Sequence, residues 1–382
     1  MATRTLKSRF LIRLIPLASL KIAVICLALL LILTGWGTVY QATYGLYAAQ
    51  NRFFYSWYFW ILGFIPFPGA QLVLCVFFVN LAASMALRVS YQLRNIGNVL
   101  SHAGLLVLLG GSFVVHQYGV ESYLPLQKNE IANVSLDRRH WELAAWVDVQ
   151  DGIEKRISST AISPDKRGKD LDFSEMGFSV VVEKYYRNSH AERGDPDPSR
   201  FSNAEGITTL TPLKTLQDPE DDFPGVILRL KIPGQDMREM VLFGGQDNPN
   251  TFWVQGKTVS IILRKERHPL PFSIRLLEMK KEDYPGTGVA RNYQSNVEVT
   301  GDGMTRNVLI YMNHPLHYKD FVFYQASYSQ DAEGNRSSVF AVVENKGRLL
   351  PYISSAMIFA GMLIHFLIML FGHMNRANRK AD

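Results

Sequence analysis

Runs without a charged residue organise this chain. Four stretches hold no Lys, Arg, Asp or Glu: Ile22–Asn51, Phe53–Leu87, Asn95–Val120 and Leu349–Asn375. Each contains an apolar core of about 18–22 residues, long enough to cross a hydrocarbon layer as a helix. The pattern predicts four transmembrane helices, at 21–39, 59–84, 97–117 and 351–371. In the long interval 118–347 the hydrophobic period changes. "WELAAWVDV", "FSVVVEKYY", "GVILRLKI", "TVSIILRK", "FSIRLLEM", "RNVLIYM", "FVFYQASY" and "SVFAVVEN" are short and rich in Val, Ile and aromatics. Clusters of Gly, Pro, Asn and Asp separate them, as they separate strands. Their alternation predicts a sandwich or open barrel rather than a parallel sheet. The expected fold is a membrane protein with four transmembrane α-helices plus one large mostly-β extracytoplasmic domain between helices 3 and 4. "HAERGDPDPSRF" and "LQDPEDDFPG" read as surface loops.

Charge sets the orientation. Arg4, Lys7, Arg9, Arg13 and Lys21 flank the first span. Arg88 and Arg94 sit in the turn between the second and third, and Arg376, Arg379 and Lys380 follow the fourth. Basic residues in short flanks stay cytoplasmic. The expected layout is a cytoplasmic basic tail at 1–20, an outer aromatic loop at 40–58 and a cytoplasmic turn at 85–96. The outer domain would fill 118–347, and a second cytoplasmic basic tail 372–382. The 118–347 segment has 28 Lys and Arg against 33 Asp and Glu, a net of −5; the remainder has 12 against 1, a net of +11. The overall +6 thus reflects membrane orientation and not nucleic-acid binding. The first apolar run is long for a signal core, so it reads as a retained anchor. The location implied is the cell inner (cytoplasmic) membrane, with both termini cytoplasmic and the large domain on the periplasmic side.

Several chemistries find no motif. Cys26 and Cys75 both fall in predicted spans, and the chain has no CxxC for dithiol exchange and no CxxCH for covalent haem. "YPGTG" and "GGQDNPN" lack the lysine of a phosphate-binding loop. No GxSxG, HExxH or EF-hand pattern occurs.

Histidine placement is the unusual feature. His102 lies in "NVLSHAGLLVLLGGSFVVHQ", eight residues past Arg94, or about 12 Å along a helix. Ionisable groups at that depth face a partner or a cofactor, and neutral imidazole is a common haem ligand. Gly104, Gly110 and Gly111 leave room for a flat macrocycle or a close neighbouring helix. His102 is therefore either a ligand or a polar packing residue paired with Ser101. His116 falls within about 40° of the same helix face, near the outer surface. His365, in "MLIHFLIML", has a depth like that of His102, so a His102–His365 bis-imidazole site is a geometric option. His373 reads as interfacial. In "NHPLHYKDFVFYQASY", His314 and His317 lie outside the spans with no third ligand nearby, and read as structural or partner-facing.

Taken together, several stretches resemble the ResB (CcsB) family of System II cytochrome c maturation. These are "GTVYQATYGLYAAQNRFFYSWYFWILG", "SHAGLLVLLGG", "PFSIRLLEMKKEDYPGTGVARNYQSNVEV", "NHPLHYKDFVFYQASY" and "ENKGRLLPY" before the last span. The resemblance implies a scaffold working with a CcsA-type (ResC-type) membrane protein. Haem would enter from the cytoplasmic side, cross between the two, and meet the reduced CxxCH thiols of an apocytochrome c. A thioredoxin-like thiol reductant would keep those thiols reduced. In the family the third-helix histidine is one axial ligand of a b-type haem shared with the partner; His102 occupies that place here. With no tryptophan-rich segment and an end soon after the fourth helix, the chain looks like the unfused subunit. His365 departs from the family picture. Catalysis, a holocytochrome c synthase activity, would belong to the complex and not to this chain alone. Two other readings compete: a cofactor-free membrane-anchored scaffold for a redox enzyme, and a b-type haem electron carrier using His102, His116 and His365.

Overall fold

The computed structural model describes residues 15–147, 156–195, 197–287, 290–330 and 336–381. Arg4, Lys7, Arg9 and Arg13, and the last two residues of "WELAAWVDV", lie outside them. The chain divides into a helical unit, residues 1–119 with 345–382, and a β unit, Val120–Glu344.

The helical unit contains α1 (Leu20–Tyr44), α2 (Ala70–Leu87), α3 (Ile96–Tyr118) and α4 (Leu350–Ala381). Four helical segments are long and apolar enough to cross a membrane: Leu20–Tyr44, Ala70–Leu87, Leu93–Tyr118 and Leu350–Met374. Ser19 caps α1 by accepting from the Lys21 N–H, and Gly45, at φ +84°, ends it. The second helix starts at Ala70 and not near 59, because short helical turns and a β-hairpin intervene. Its strands are β1 (Tyr58–Ile61) and β2 (Ile65–Pro68), joined by a turn with Leu62 at φ +53° and Gly63 at φ +82°. Pro66 and Pro68 explain the shift: proline pushes the residue before it into extended backbone and ends helical continuity.

Polar side chains of α2 then fix the segment that leads into α1. Asn80 donates to the Leu17 and Ser19 carbonyls, at 2.5 and 3.0 Å. Ser84 donates to Ala18 and Arg88 to Ile15, at 3.2 and 3.4 Å. These residues recur every four positions, one stripe of a helix, and supply donors to carbonyls of the segment in apolar surroundings.

Helices α3 and α4 pack antiparallel through a seam of small residues. A Cβ added at Gly97 would lie 2.5 Å from the Gly361 carbonyl oxygen, and one at Gly104 would lie 3.0 Å from that of Ser354. One at Gly111 would strike the Leu350 side chain, and one at Gly361 the backbone of Ser101. Helix backbones approach this closely only where side chains are absent.

The β unit is antiparallel throughout its ladders. Its strands are β3 (Val120–Gln127), β4 (Ile131–Val147), β5 (Arg156–Ile162), β6 (Asp170–Phe173), β7 (Phe178–Tyr186), β8 (Ser189–Arg193) and β9 (Ile207–Pro212). There follow β10 (Gly225–Lys231), β11 (Arg238–Phe243), β12 (Asn250–Val254), β13 (Lys257–Asp283), β14 (Ala290–Gly301) and β15 (Met304–Tyr311). The last are β16 (Leu316–Tyr318), β17 (Phe321–Gln330) and β18 (Arg336–Glu344). "HAERGDPDPSRF" therefore begins within β8 and is not wholly loop.

Two large cores share this unit, beside a small cluster of Ile207, Leu210 and Val241. In the first, the sheet β11-β10-β7-β6 covers strands β4, β5, β12 and β13, burying Leu143, Val180, Leu228 and Ile261. That lobe is the expected sandwich. The second lobe runs β15-β14-β13-β4-β3-β18-β17-β16 and buries Leu126, Ile274, Val297, Phe323 and Phe340. Its sheet curls until Ser295 of β14 hydrogen-bonds Gln325 of β17 and Ser338 of β18, at 2.7 and 2.9 Å, which matches an open barrel. Strands β4 and β13 run through both lobes. Where they pass between cores their register jumps: Lys265 pairs with Trp141, but Arg267 pairs with Leu136. Residues 137–140 thus form a bulge at a polar waist.

Candidate functional site

His102 sits in the first half of α3. Its Nδ1 lies 2.8 Å from the Asn98 carbonyl oxygen. A carbonyl only accepts, so Nδ1 carries the proton and Nε2 the lone pair. This is the tautomer in which an imidazole binds iron. Among the described residues no hydrogen bond engages Nε2.

The seam defines which way His102 faces. Five residues separate it from Gly97, about 140° around the helix at 100° per residue. Gly97 meets the backbone of His365 on α4, so His102 lies on a different face of α3 from that helix. Among the described residues the His102 and His365 rings make no contact; the ring beside His365 is that of Phe366, centroids 6.0 Å apart. His373 is exposed on α4.

His116 shares the His102 face but is already engaged. Gln71 of α2 lies 3.3 Å from its Nε2, and the amide nitrogen can only donate, so that lone pair is used. The Tyr55 ring stacks on it at 4.6 Å. Here His116 ties α3 to the start of α2.

The stretch 313–328 forms two turns, the short strand β16 and most of β17. The His314 ring stacks on Tyr311 at 4.1 Å, and the two residues exchange backbone hydrogen bonds. His317 is exposed in β16, and its carbonyl accepts from Arg306. The adjacent Tyr318 hydroxyl and Lys319 Nζ both donate to Asp302, at 3.0 and 2.9 Å. Asp302, Asn313 and Lys319 all adopt left-handed backbone, so this cluster shapes turns. No group of three or more metal-ligating side chains occurs among the described residues.

One centre escaped the sequence reading. Asp137, buried at the waist, accepts from the Arg139 and His140 backbone N–H groups at 2.8 and 2.7 Å. It also accepts from His140 Nδ1 and His268 Nε2, both at 3.0 Å. Burial alone would raise its pKa, but these hydrogen bonds, led by the His140 side chain, outweigh it and hold the carboxyl far below the usual range. The hydrogen bond to Asp137 in turn pushes His140 up, against the effect of its own burial. Glu220 pairs with Arg138 and Arg139 beside them, at 2.6 and 3.3 Å. The Asp-x-x-His spacing of "DRRH" was the available signal for half of this centre.

Four helices long and apolar enough to span a membrane, joined in sequence to a large antiparallel β unit, fit the class of membrane proteins with a β-rich domain. Residues 240–348 match the ResB-like family, the family that the ordered motifs resemble. Protein NrfI of Wolinella succinogenes is 28% identical over 119 residues, which is 31% of this chain and 13% of NrfI. The family segment holds most of the second lobe and the 313–328 turns; His102 lies outside it.

Proposed function

We propose that this protein is a membrane subunit of cytochrome c maturation. With a CcsA-type partner it carries haem across the cell inner membrane and presents it for thioether attachment to apocytochrome c. The observation that carries this reading is His102: a ligand-type tautomer held by Asn98, on a face of α3 that α4 does not occupy. The residues fit haem as a transient b-type cargo with one axial ligand from this chain. His365 makes no ring contact with His102 among the described residues and Gln71 engages the His116 Nε2, so the second ligand is assigned to the partner.

Positive flanks orient the first half of α3, and with it His102, toward the cytoplasm, as an entry point requires. Thioether formation joins cysteine thiolates, kept reduced by a thioredoxin-like protein, to the haem vinyl groups. The chain's part in it is positioning and passage; acid–base catalysis is not asked of it. The match to the ResB-like family supports the maturation role.

The test is a pyridine haemochrome spectrum of the chain purified alone and with its CcsA-type partner. Haem in the complex, lost in His102→Ala and kept in His365→Ala and His116→Ala, is expected. Haem in the isolated chain that depends on His365 would instead make it an electron carrier. No haem in either preparation would leave a scaffold.

A further inference from the structure

The β1–β2 hairpin has apolar residues on both faces. Its inner face is used: Phe59 and Phe67 pack on Trp36 of α1, ring centroids 5.7 and 6.1 Å away. Its outer face carries Tyr58 and Trp60, and Leu62, Phe64 and Ile65 at the turn end are exposed as well, Leu62 80% so. No charged residue occurs from Phe53 to Leu87. The nearest, Arg52, is turned inward over the rings of Tyr40, Phe53 and Phe59.

The position of the hairpin is as informative as its composition. Trp36 precedes the end of α1 by eight residues, about 12 Å of helix. The Asn80–Ser19 hydrogen bond sets the register of antiparallel α1 and α2, which places Ala70 near the level of Leu29. Helix α2 therefore begins well short of the end of α1 at Tyr44. The hairpin stands in the space beside the last turns of α1.

Its backbone is adapted to poor solvation. Tyr58 pairs with Pro68 and Trp60 with Pro66; neither proline has an N–H, so those positions of β2 leave no donor on the free edge. On β1 the Trp60 carbonyl accepts from Arg52 at 3.1 Å, and the Trp57 carbonyl from Gly69 at 2.9 Å. The turn repeats the message. Leu62 takes a left-handed conformation that favours Gly or Asn, yet the position holds an exposed aliphatic side chain.

We propose that this hairpin is a re-entrant wedge whose partner is the lipid interface of the bilayer. Tyr58 and Trp60 near its base carry the amphipathic rings of a headgroup layer, while Leu62, Phe64 and Ile65 at the tip enter the acyl boundary. A protein partner would not require this grading from base to tip. The wedge rests on reading the four helices as membrane spans.

The test uses the full chain in phosphatidylcholine–phosphatidylglycerol vesicles, with Cys26 and Cys75 replaced by serine and single cysteines bearing an environment-sensitive fluorophore. Labels at Leu62→Cys and Phe64→Cys should emit blue-shifted and be quenched by shallow spin-labelled lipids. Met304→Cys, at the exposed start of β15, should emit as in water and be quenched by iodide. Iodide quenching at Leu62, or protection there from both quenchers, would overturn the proposal in favour of water or a protein partner. Leu31→Cys, exposed on α1, reports the spans themselves: lack of lipid quenching there would overturn both readings. Leu62→Asn supplies a second measure, since Asn suits the turn. Its melting temperature in vesicles should fall; a rise would refute lipid contact.

Discussion

Replacing Gly97 with alanine should separate α3 from α4, and its cost follows from the seam. The added Cβ would lie 2.5 Å from the Gly361 oxygen and 2.8 Å from His365 Cα. Both are backbone atoms that no rotamer change can move, so the helices must part by about 1 Å to reach ordinary contact. Overpacking of this kind costs roughly 1–3 kcal/mol, while alanine regains up to about 1 kcal/mol of helix propensity over glycine. Gly110 supplies the control, because its added Cβ meets nothing nearer than Phe78 at 3.8 Å. Gly110→Ala should keep the propensity gain and stabilise slightly, so the two variants should differ by about 1–3 kcal/mol. Unfolding of the full chain in micelles, followed by circular dichroism, reads that difference. Gly97→Ala combined with Gly361→Ala should cost less than the sum of the two, since one displacement relieves both clashes. Equal midpoints for Gly97→Ala and Gly110→Ala, or fully additive costs, would refute the seam.

Three further outcomes are expected. The lowered pKa of Asp137 and the raised pKa of His140 act in opposite directions. The Asp137 contribution is present above the ordinary carboxylate value of 3.8 and fades as pH falls through its folded value. That of His140 is complete below the ordinary 6.5 and fades as pH rises through its folded value. Thermal stability should thus peak between those ordinary values, and Asp137→Asn should flatten the peak and cost about 1.5–3 kcal/mol; an unchanged pH profile would remove the waist from the account. Arg264 and Glu142 form an inward-facing pair at 2.7 Å, with Glu142 side chain 6% exposed. Arg264→Leu should cost about 3–5 kcal/mol by stranding the carboxylate, while Arg264→Leu with Glu142→Leu should recover most of it, as denaturant melts would show. Asn80→Leu removes the amide donor from the Leu17 carbonyl, while the Ser19 carbonyl keeps the Ile22 N–H; a loss of about 1–3 kcal/mol should appear in the melting of the full chain, against little change for Leu72→Ala on the exposed side.

The helices were legible because an absence of charge over so many residues has few other causes. The same criterion failed at 58–68. A two-faced apolar hairpin is as charge-free as a span, and only Gly63, Pro66 and Pro68 distinguished it. In the β unit, "TVSIILRK" and "FSIRLLEM" read as two strands but are one, β13. Pro269 and Pro271 suggested a break, whereas the strand bulges at residues 270–273 and continues. Likewise "WELAAWVDV" is the second part of β4, whose first part, "IANVSLDRRH", is too polar to read as strand because it crosses the waist. His102 was visible as a ligand-type side chain inside a charge-free helix. The Asp137–His268 contact joins residues 131 positions apart, and no local pattern announces a pairing made by the fold.

Strands β4 and β13 have a mechanical consequence. Since each large core owns half of both, no cut in the chain yields two self-sufficient pieces, although the two large cores are separate. Loss of either core frays the strands that the other depends on, so the β unit should behave as a single foldon with amide protection continuous from one lobe to the other. A load applied at one end is borne by covalent backbone across the waist instead of by a linker. Any movement available to the lobes is then a flexing of two shared beams about Asp137, not a swing on a hinge.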